Sequence, residues 1–155
     1  MTIEVPVILK SLSTGGSALT AFSAWTKKAK GDARVLIAEL KDNLSYLDMV
    51  AEDSVELGAV VDKLSVVEYK RLSREGYNFN ALKKQKIAAY DSLKGTDLSS
   101  WSGKSTEALI ESIFDKLNDL TIKFPHVAQN SKYRWSVRVD NIRKRIWLLL
   151  KHVSA

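Results

Sequence analysis

The sequence predicts an all-α protein, organised as a single-domain antiparallel bundle of four or five main helices over residues 1–155. Apolar residues recur at three- and four-residue spacing along nearly the whole chain, whereas the alternation typical of strands is almost missing. The chain has only two prolines, and both stand where a helix would begin or end. Its length matches one typical domain, and long helices with short connections favour antiparallel neighbours.

The first half of the chain predicts three helices. The first covers about residues 6–29, and a kink or break is expected at Gly15–Gly16, because two glycines cost roughly 2 kcal/mol relative to alanine in a helix. Gly31–Asp32 indicates a stop followed by the N-cap of a second helix over about residues 33–51. A short helix over about residues 55–64 follows. The apolar face of the second helix comprises Leu36, Ile37, Leu40, Leu44, Leu47 and Ala51.

The middle of the chain begins with a capping-box pattern. Ser65 is predicted to cap the next helix while Glu68 reaches back to it. That helix should stop at Gly76, and Asn80 is expected to cap one or two further turns through Lys86. The stretch from 92 to 104 is rich in turn-forming residues.

Two long helices are predicted near the C-terminus. The first covers about residues 106–124, capped by Ser102 or Ser105 and ended by Pro125, which leaves His126 in a loop. The final helix covers about residues 132–151. Its apolar seam comprises Trp135, Val139, Ile142, Ile146, Leu149 and Val153.

Composition excludes several classes of protein. Cysteine is absent, so the chain has no disulfide, no thiolate zinc site and no cysteine nucleophile. We expect no metal site and no cofactor. The first ten residues lack a basic segment, and the longest uncharged stretch is too short for a bilayer, so we expect neither a signal peptide nor a membrane span. The expected location is the cytoplasm.

Positive charge is concentrated in the final predicted helix. The net charge is +6, and residues 132–151 alone hold seven basic residues against one acid. Arginines grip phosphates with two donors and stay charged, so this helix predicts a polyanion-binding surface, with RNA as the most plausible ligand. An acidic protein partner is the alternative. The predicted contacts on this helix are Arg134, Arg138, Arg143 and Lys144.

A second basic segment interleaves cations with aromatic rings between residues 69 and 86. Single-stranded nucleic acid is held by phosphate contacts together with base stacking, so this segment extends the predicted interface. The alternative is that Tyr77 and Phe79 fill the core while lysines are solvated. The predicted contacts in this segment are Lys70, Arg71 and Arg74.

An acidic row on the preceding helix determines how much of the basic surface is free. Its carboxylates repeat every four residues, and they are Glu107, Glu111, Asp115 and Asp119. They are expected to face solvent or to pair with the basic helix. If they pair with all of its arginines, the protein is a structural helical subunit without a free basic site.

Arg145 and His152 form the pattern Arg-x6-His, which resembles the motif of the HEPN ribonucleases. The resemblance implies a small helical bundle that acts as a dimer and cleaves RNA without a metal. His152 would be the general base or acid, and Arg145 would stabilise the charge of the phosphorane. The alternative is a terminal histidine that interacts with the negative end of the helix dipole.

A further resemblance covers about half of the chain. Its segments are similar to a group of small uncharacterised bacterial helical proteins, and this similarity implies a bacterial cytoplasmic origin. The segments are AKGDARVLIAELKDNL, LSVVEYKRLSREGYNFNALKKQKI, KGTDLSSWSGKSTEALIESIF and RWSVRVDNIRKRIWLLLKH.

Overall fold

The computed structural model describes residues 17–154, and over this range the chain is a helical bundle without strands. The predicted all-α bundle is therefore confirmed. The described part contains five α-helices of eight residues or more, and one single turn. They are α1 (Ser17–Lys28), α2 (Gly31–Glu52), the single turn α3 (Leu57–Val60), α4 (Val67–Arg74), α5 (Thr106–Val127) and α6 (Trp135–Ser154). Short 3-10 helices lie at Val61–Lys63, Phe79–Leu82, Asp91–Leu93, Ser99–Trp101 and Ser131–Tyr133.

Helix α6 is the centre of the bundle, in contact with α1, α2 and α5. Its residues 146–150 are all buried, which is typical of a helix enclosed on every side. The predicted apolar faces of α2 and α5 are buried against it, apart from the exposed Ala51 and the half-buried Phe124. In the described part of the chain, no helix is long and apolar enough to cross a membrane.

The start of α2 differs from the prediction. Residues 6–16 of the predicted first helix, with the expected break at Gly15–Gly16, lie outside the described residues. Helix α2 begins at Gly31, and the N-cap position is Lys30, which has no capping side chain. The predicted cap was therefore wrong. Asp32 lies in the first turn, where its carboxylate interacts favourably with the positive end of the helix dipole.

The N-terminus of α4 is capped by a residue from another helix. Glu39 of α2 accepts hydrogen bonds from the backbone N–H groups of Glu68 and Tyr69, both at 2.9 Å, and from the Ser65 hydroxyl at 2.7 Å. The Glu68 carboxylate instead accepts from Arg71 Nε at 3.0 Å. The predicted capping box was therefore wrong, because Glu39 accepts from the Glu68 N–H that Ser65 would cap, and Asn43 accepts from the Ser65 N–H that Glu68 would cap.

Asn43, one turn further along α2, fixes the chain just before α4. Its side-chain amide donates to Ser65 O at 2.7 Å, and its Oδ1 accepts from Ser65 N at 2.8 Å. Asn43 is fully buried, so these two bonds satisfy groups that water cannot reach. Together Glu39 and Asn43 attach α4 to α2.

Helix α5 also receives a cap from a distant residue. The predicted cap Ser105 is confirmed, since its Oγ accepts from Ala108 N at 3.1 Å. Asn80 accepts from Glu107 N at 2.9 Å and so caps α5 rather than its own segment. The prediction for Asn80 was wrong, because Asn78 caps the 3-10 turn that follows it.

The C-terminal end of α5 passes through Pro125. The helix continues to Val127, so the predicted stop was wrong, and His126 lies in the last helical turn rather than in a loop. Proline has a helical φ, but here it removes the backbone donor to Thr121 O, so the helix continues past Pro125 with one hydrogen bond fewer. Helix α6 begins at Trp135, three residues later than predicted.

Replacing Glu39 by glutamine is expected to destabilise the protein by about 1–3 kcal/mol. The two carboxylate oxygens of Glu39 accept from two different backbone N–H groups, whereas the glutamine side chain has one oxygen and one NH2 group. One buried backbone N–H would then face another donor and lose its acceptor. Urea unfolding followed by circular dichroism measures the loss. Asp42→Asn, an exposed charge change on the same helix, should alter stability by less than about 0.5 kcal/mol. Equal stability of the two variants would contradict the capping role.

Candidate functional site

Arg143, a predicted polyanion contact, is enclosed by three carboxylates. Its Nε donates to Asp48 at 2.8 Å, its Nη2 to Glu52 at 3.0 Å and its Nη1 to Asp140 at 3.1 Å. The side chain is only 8% exposed, and the guanidinium lies 4.8 Å from the centre of the Trp147 ring. This geometry leaves Arg143 no free face for a ligand, so its charge serves to hold α6 against α2.

Burial dominates the electrostatics of this cluster. It raises the pKa of Asp48 above the ordinary value, although the hydrogen bond and the charge of Arg143 act in the opposite direction. The Asp48 carboxylate therefore relies on Arg143 to remain ionised inside the protein.

Lys144 and the predicted contacts on α4 lie away from this cluster. Lys144 lies 3.9 Å from Asp97, at the limit of an ion pair. Lys70 and Arg74 are exposed on α4. Arg71, also on α4, is engaged by three acids, which are Asp32, Glu68 and Glu75. The aromatic rings of this segment serve the core, because Phe79 is buried and Tyr69 stacks on Phe114 with ring centres 4.4 Å apart.

The structure places His152 in the interior. It is 2% exposed, and its Nε2 lies 2.8 Å from Thr106 Oγ1. The Thr106 hydroxyl donates its proton to Lys83 O at 2.7 Å, so it must accept from the imidazole. Nε2 therefore carries a proton. Burial, followed by the charge of Lys83, lowers the pKa of His152.

These contacts do not favour a catalytic pair. A general base must reach the proton that it removes, but the Nε2 of His152 is committed to Thr106 at the N-terminus of α5. Arg145 lies on the same helix and donates from Nη1 to Asn141 O at 2.9 Å. The ribonuclease interpretation therefore stays a prediction without support from the geometry.

The last two predicted contacts, Arg134 and Arg138, lie in a groove of about 820 Å³ between α5 and the first half of α6. Its floor includes Leu120 and Ile142. Four cations line it, and among residues 17–154 only Arg138 of the four has a carboxylate within 4 Å, namely Asp119 at 3.5 Å. The four are Lys116, Lys132, Arg134 and Arg138.

Tyr133 is the aromatic centre of this cationic wall. Its ring stacks on Trp135 at 5.1 Å, and the side-chain charges of Lys132 and Arg138 each lie 5.2 Å from its centre. Arg138 Nε also donates to Tyr133 O at 2.7 Å, which fixes the guanidinium beside the ring. Arg134 is held in a left-handed backbone conformation with φ of 48°. The turn between α5 and α6 thus presents cations and a ring together.

The opposite wall carries part of the predicted acidic row. Glu111 and Asp115 are exposed on α5 and line the groove, whereas Glu107 interacts with Asn80. Asp119 is the acid of this row that pairs with an arginine of α6, and it also pairs with Lys123 at 3.1 Å. Over residues 17–154, no three acidic or histidine side chains come together as a metal site would need.

Sequence reasoning missed Lys116, Lys132 and Tyr133 as members of this site. Lys116 stands among the acids of α5, and only the structure shows that it lines the groove with them. Lys132 and Tyr133 were assigned to the final helix, but they belong to the 3-10 turn that precedes it. Of the predicted contacts, Arg134 and Arg138 line the groove.

Comparison with known proteins identifies no relative, since no protein-family model, no curated protein and no solved structure matches the chain. The two resemblances noted in the sequence therefore remain predictions, and the groove is the feature from which a function can be proposed.

Replacing Arg143 by methionine should destabilise the protein by about 3–5 kcal/mol, because Asp48 is left buried without its counter-charge. The double variant Arg143→Met/Asp48→Leu should recover much of this loss, since the pair is then replaced by apolar volume. Thermal and urea unfolding of the single and double variants gives the coupling between the two positions. Additive losses would show that the ion pair does not hold α6.

The free energy of unfolding should fall as the pH drops below about 6.5, in part because of His152. The folded state holds the imidazole neutral to a lower pH than the unfolded chain does, so the unfolded chain takes up the proton first. His152 changes the free energy of unfolding by at most about 1.4 kcal/mol per pH unit. His152→Gln keeps a donor for Thr106 without the titration, so its stability should vary less between pH 5 and 7. Identical profiles would contradict the buried neutral state.

Proposed function

We propose that the protein is a cytoplasmic binding module for single-stranded RNA, held in the groove between α5 and α6. The observation that carries the proposal is the cationic wall of this groove. Lys132 and Arg134 are exposed there, with no ion pair in the described part of the chain, beside a tyrosine ring. Phosphate contacts combined with aromatic side chains are the usual means of holding single-stranded nucleic acid.

The shape of the groove favours a single strand over a duplex. It is a concavity between two packed helices, whereas a duplex presents a convex outer surface that rests on an open face. One strand can place its phosphates along Arg134 and Arg138 while its sugars and bases turn toward α5.

The acidic wall favours RNA over DNA. Glu111 and Asp115 would repel a ligand that is negative on every side, so a ligand that fits must present hydrogen-bond donors to these two carboxylates. The ribose 2′-hydroxyl and the amino groups of bases are such donors. DNA lacks the 2′-hydroxyl, which is the group that distinguishes the two nucleic acids at a given site.

Binding of labelled oligo(U) is expected to weaken with salt and to depend on the turn before α6. Each phosphate contact on a single strand contributes about 0.7 to the slope of log K against log salt. Lys132→Gln/Arg134→Gln should therefore lower the magnitude of the slope by about 1.4. Fluorescence anisotropy between 25 and 250 mM salt measures it.

The matched control is Lys27→Gln/Lys28→Gln at the exposed end of α1, which removes the same charge outside the groove. It should keep nearly all of the affinity. Equal losses in both double variants would show that only net charge matters. Oligo(dU) should bind more weakly than oligo(U). If polyglutamate displaces the RNA at an equal concentration of charges, the ligand is an acidic protein instead.

A further inference from the structure

Two cations, Lys116 and Arg138, line the groove, and Arg145 lies outside its lining but near enough for its charge to act on Lys116. Lys116 projects from α5, and Arg138 and Arg145 are seven residues apart on α6, so they share one face of that helix. Asn141, between them in sequence, lines the groove with Lys116 and Arg138. The charges of Arg145 and Arg138, after burial, lower the pKa of Lys116.

Neighbouring acids balance this cluster incompletely. Asp119 lies 3.5 Å from Arg138 but is closer to Lys123, at 3.1 Å. Lys116 and Arg145 form no ion pair within 4 Å among the described residues. Like charges in a partly buried place raise the energy of the free protein, and a bound anion would remove that cost.

Arg145 has donors left for a ligand. Within the described part of the chain, its Nε is buried without a hydrogen-bond partner, and its guanidinium makes one hydrogen bond, to Asn141 O at 2.9 Å. A buried donor without a partner is costly. Only one hydrogen bond is therefore lost when the Arg145 side chain turns from Asn141 O toward the groove. There, two parallel N–H groups of the guanidinium can bind a phosphate.

We propose that Lys116, Arg138 and Arg145 form a subsite for one phosphate group. This inference rests on the proposed function, because the phosphate would belong to a bound RNA strand. It also names where along the groove that strand is held most tightly. A free phosphate or pyrophosphate shares the chemistry, so the two sources must be distinguished by experiment.

The test measures the binding of inorganic pyrophosphate and of oligo(U) by isothermal titration calorimetry. Wild type should bind both. Lys116→Gln and Arg145→Gln should each weaken pyrophosphate binding at least tenfold, whereas Lys28→Gln, the same charge change on the exposed end of α1, should not change it. Circular dichroism verifies the fold of each variant, and Arg145→Lys, which keeps the charge but not the fork of donors, should bind at an intermediate level.

The outcomes separate the two proposals. If oligo(U) binds wild type, Lys116→Gln and Arg145→Gln equally, the RNA-binding function stands and the subsite is wrong. If pyrophosphate binds through Lys116 and Arg145 but oligo(U) does not bind, the subsite stands and RNA is not the ligand. No pyrophosphate binding by wild type, or an equal loss in Lys28→Gln, overturns the subsite.

Discussion

The buried ion pair between Arg143 and Asp48 sets the orientation of the central helix, and the groove depends on that orientation. With 3.6 residues per turn, Arg138 lies about 140° and Arg145 about 160° around the helix from Arg143. Because Arg143 is held against α2 by the carboxylates of Asp48 and Glu52 at 2.8 and 3.0 Å, the other two arginines must face the opposite side, where α5 packs. One structural arginine therefore turns two others toward α5, and one of them, Arg138, lines the groove.

Helix α2 organises the bundle through buried polar residues rather than through its apolar face alone. Glu39 caps α4, Asn43 fixes the chain before it, and Asp48 holds α6. Each is buried with its hydrogen bonds made, and each would be costly without its partner. Such bonds specify one arrangement of neighbours, whereas an apolar stripe tolerates sliding and rotation. The position of α6 relative to α4 and α5 therefore depends on three side chains of one helix.

The sequence predicted what depends on neighbours along the chain. Periodicity alone predicted the all-α bundle and the apolar faces of α2, α5 and α6. It failed where partners are distant: the cap of α4 comes from Glu39, about thirty residues earlier, and Asn80 caps a helix that begins after it. The arginines of α6 show the same limit. The sequence does not distinguish Arg138 from Arg143, because both lie in the same basic stretch. The acids of α2 enclose Arg143, whereas Arg138 faces α5 and the groove.

One wall of the groove is cationic and the other is acidic, so the groove discriminates among ligands more strongly than a surface of uniform positive charge would. A uniformly anionic chain would gain from Arg134 and Lys132 but would be repelled by Glu111 and Asp115, so simple polyanions fit poorly. Arg134 adds a second argument, because a left-handed conformation costs a residue with a β-carbon about 1–2 kcal/mol. Strain of this kind concentrates at functional positions. Here it holds an arginine at the mouth of the groove, at a turn where glycine or asparagine would be less strained, and this favours a role for its charge in binding.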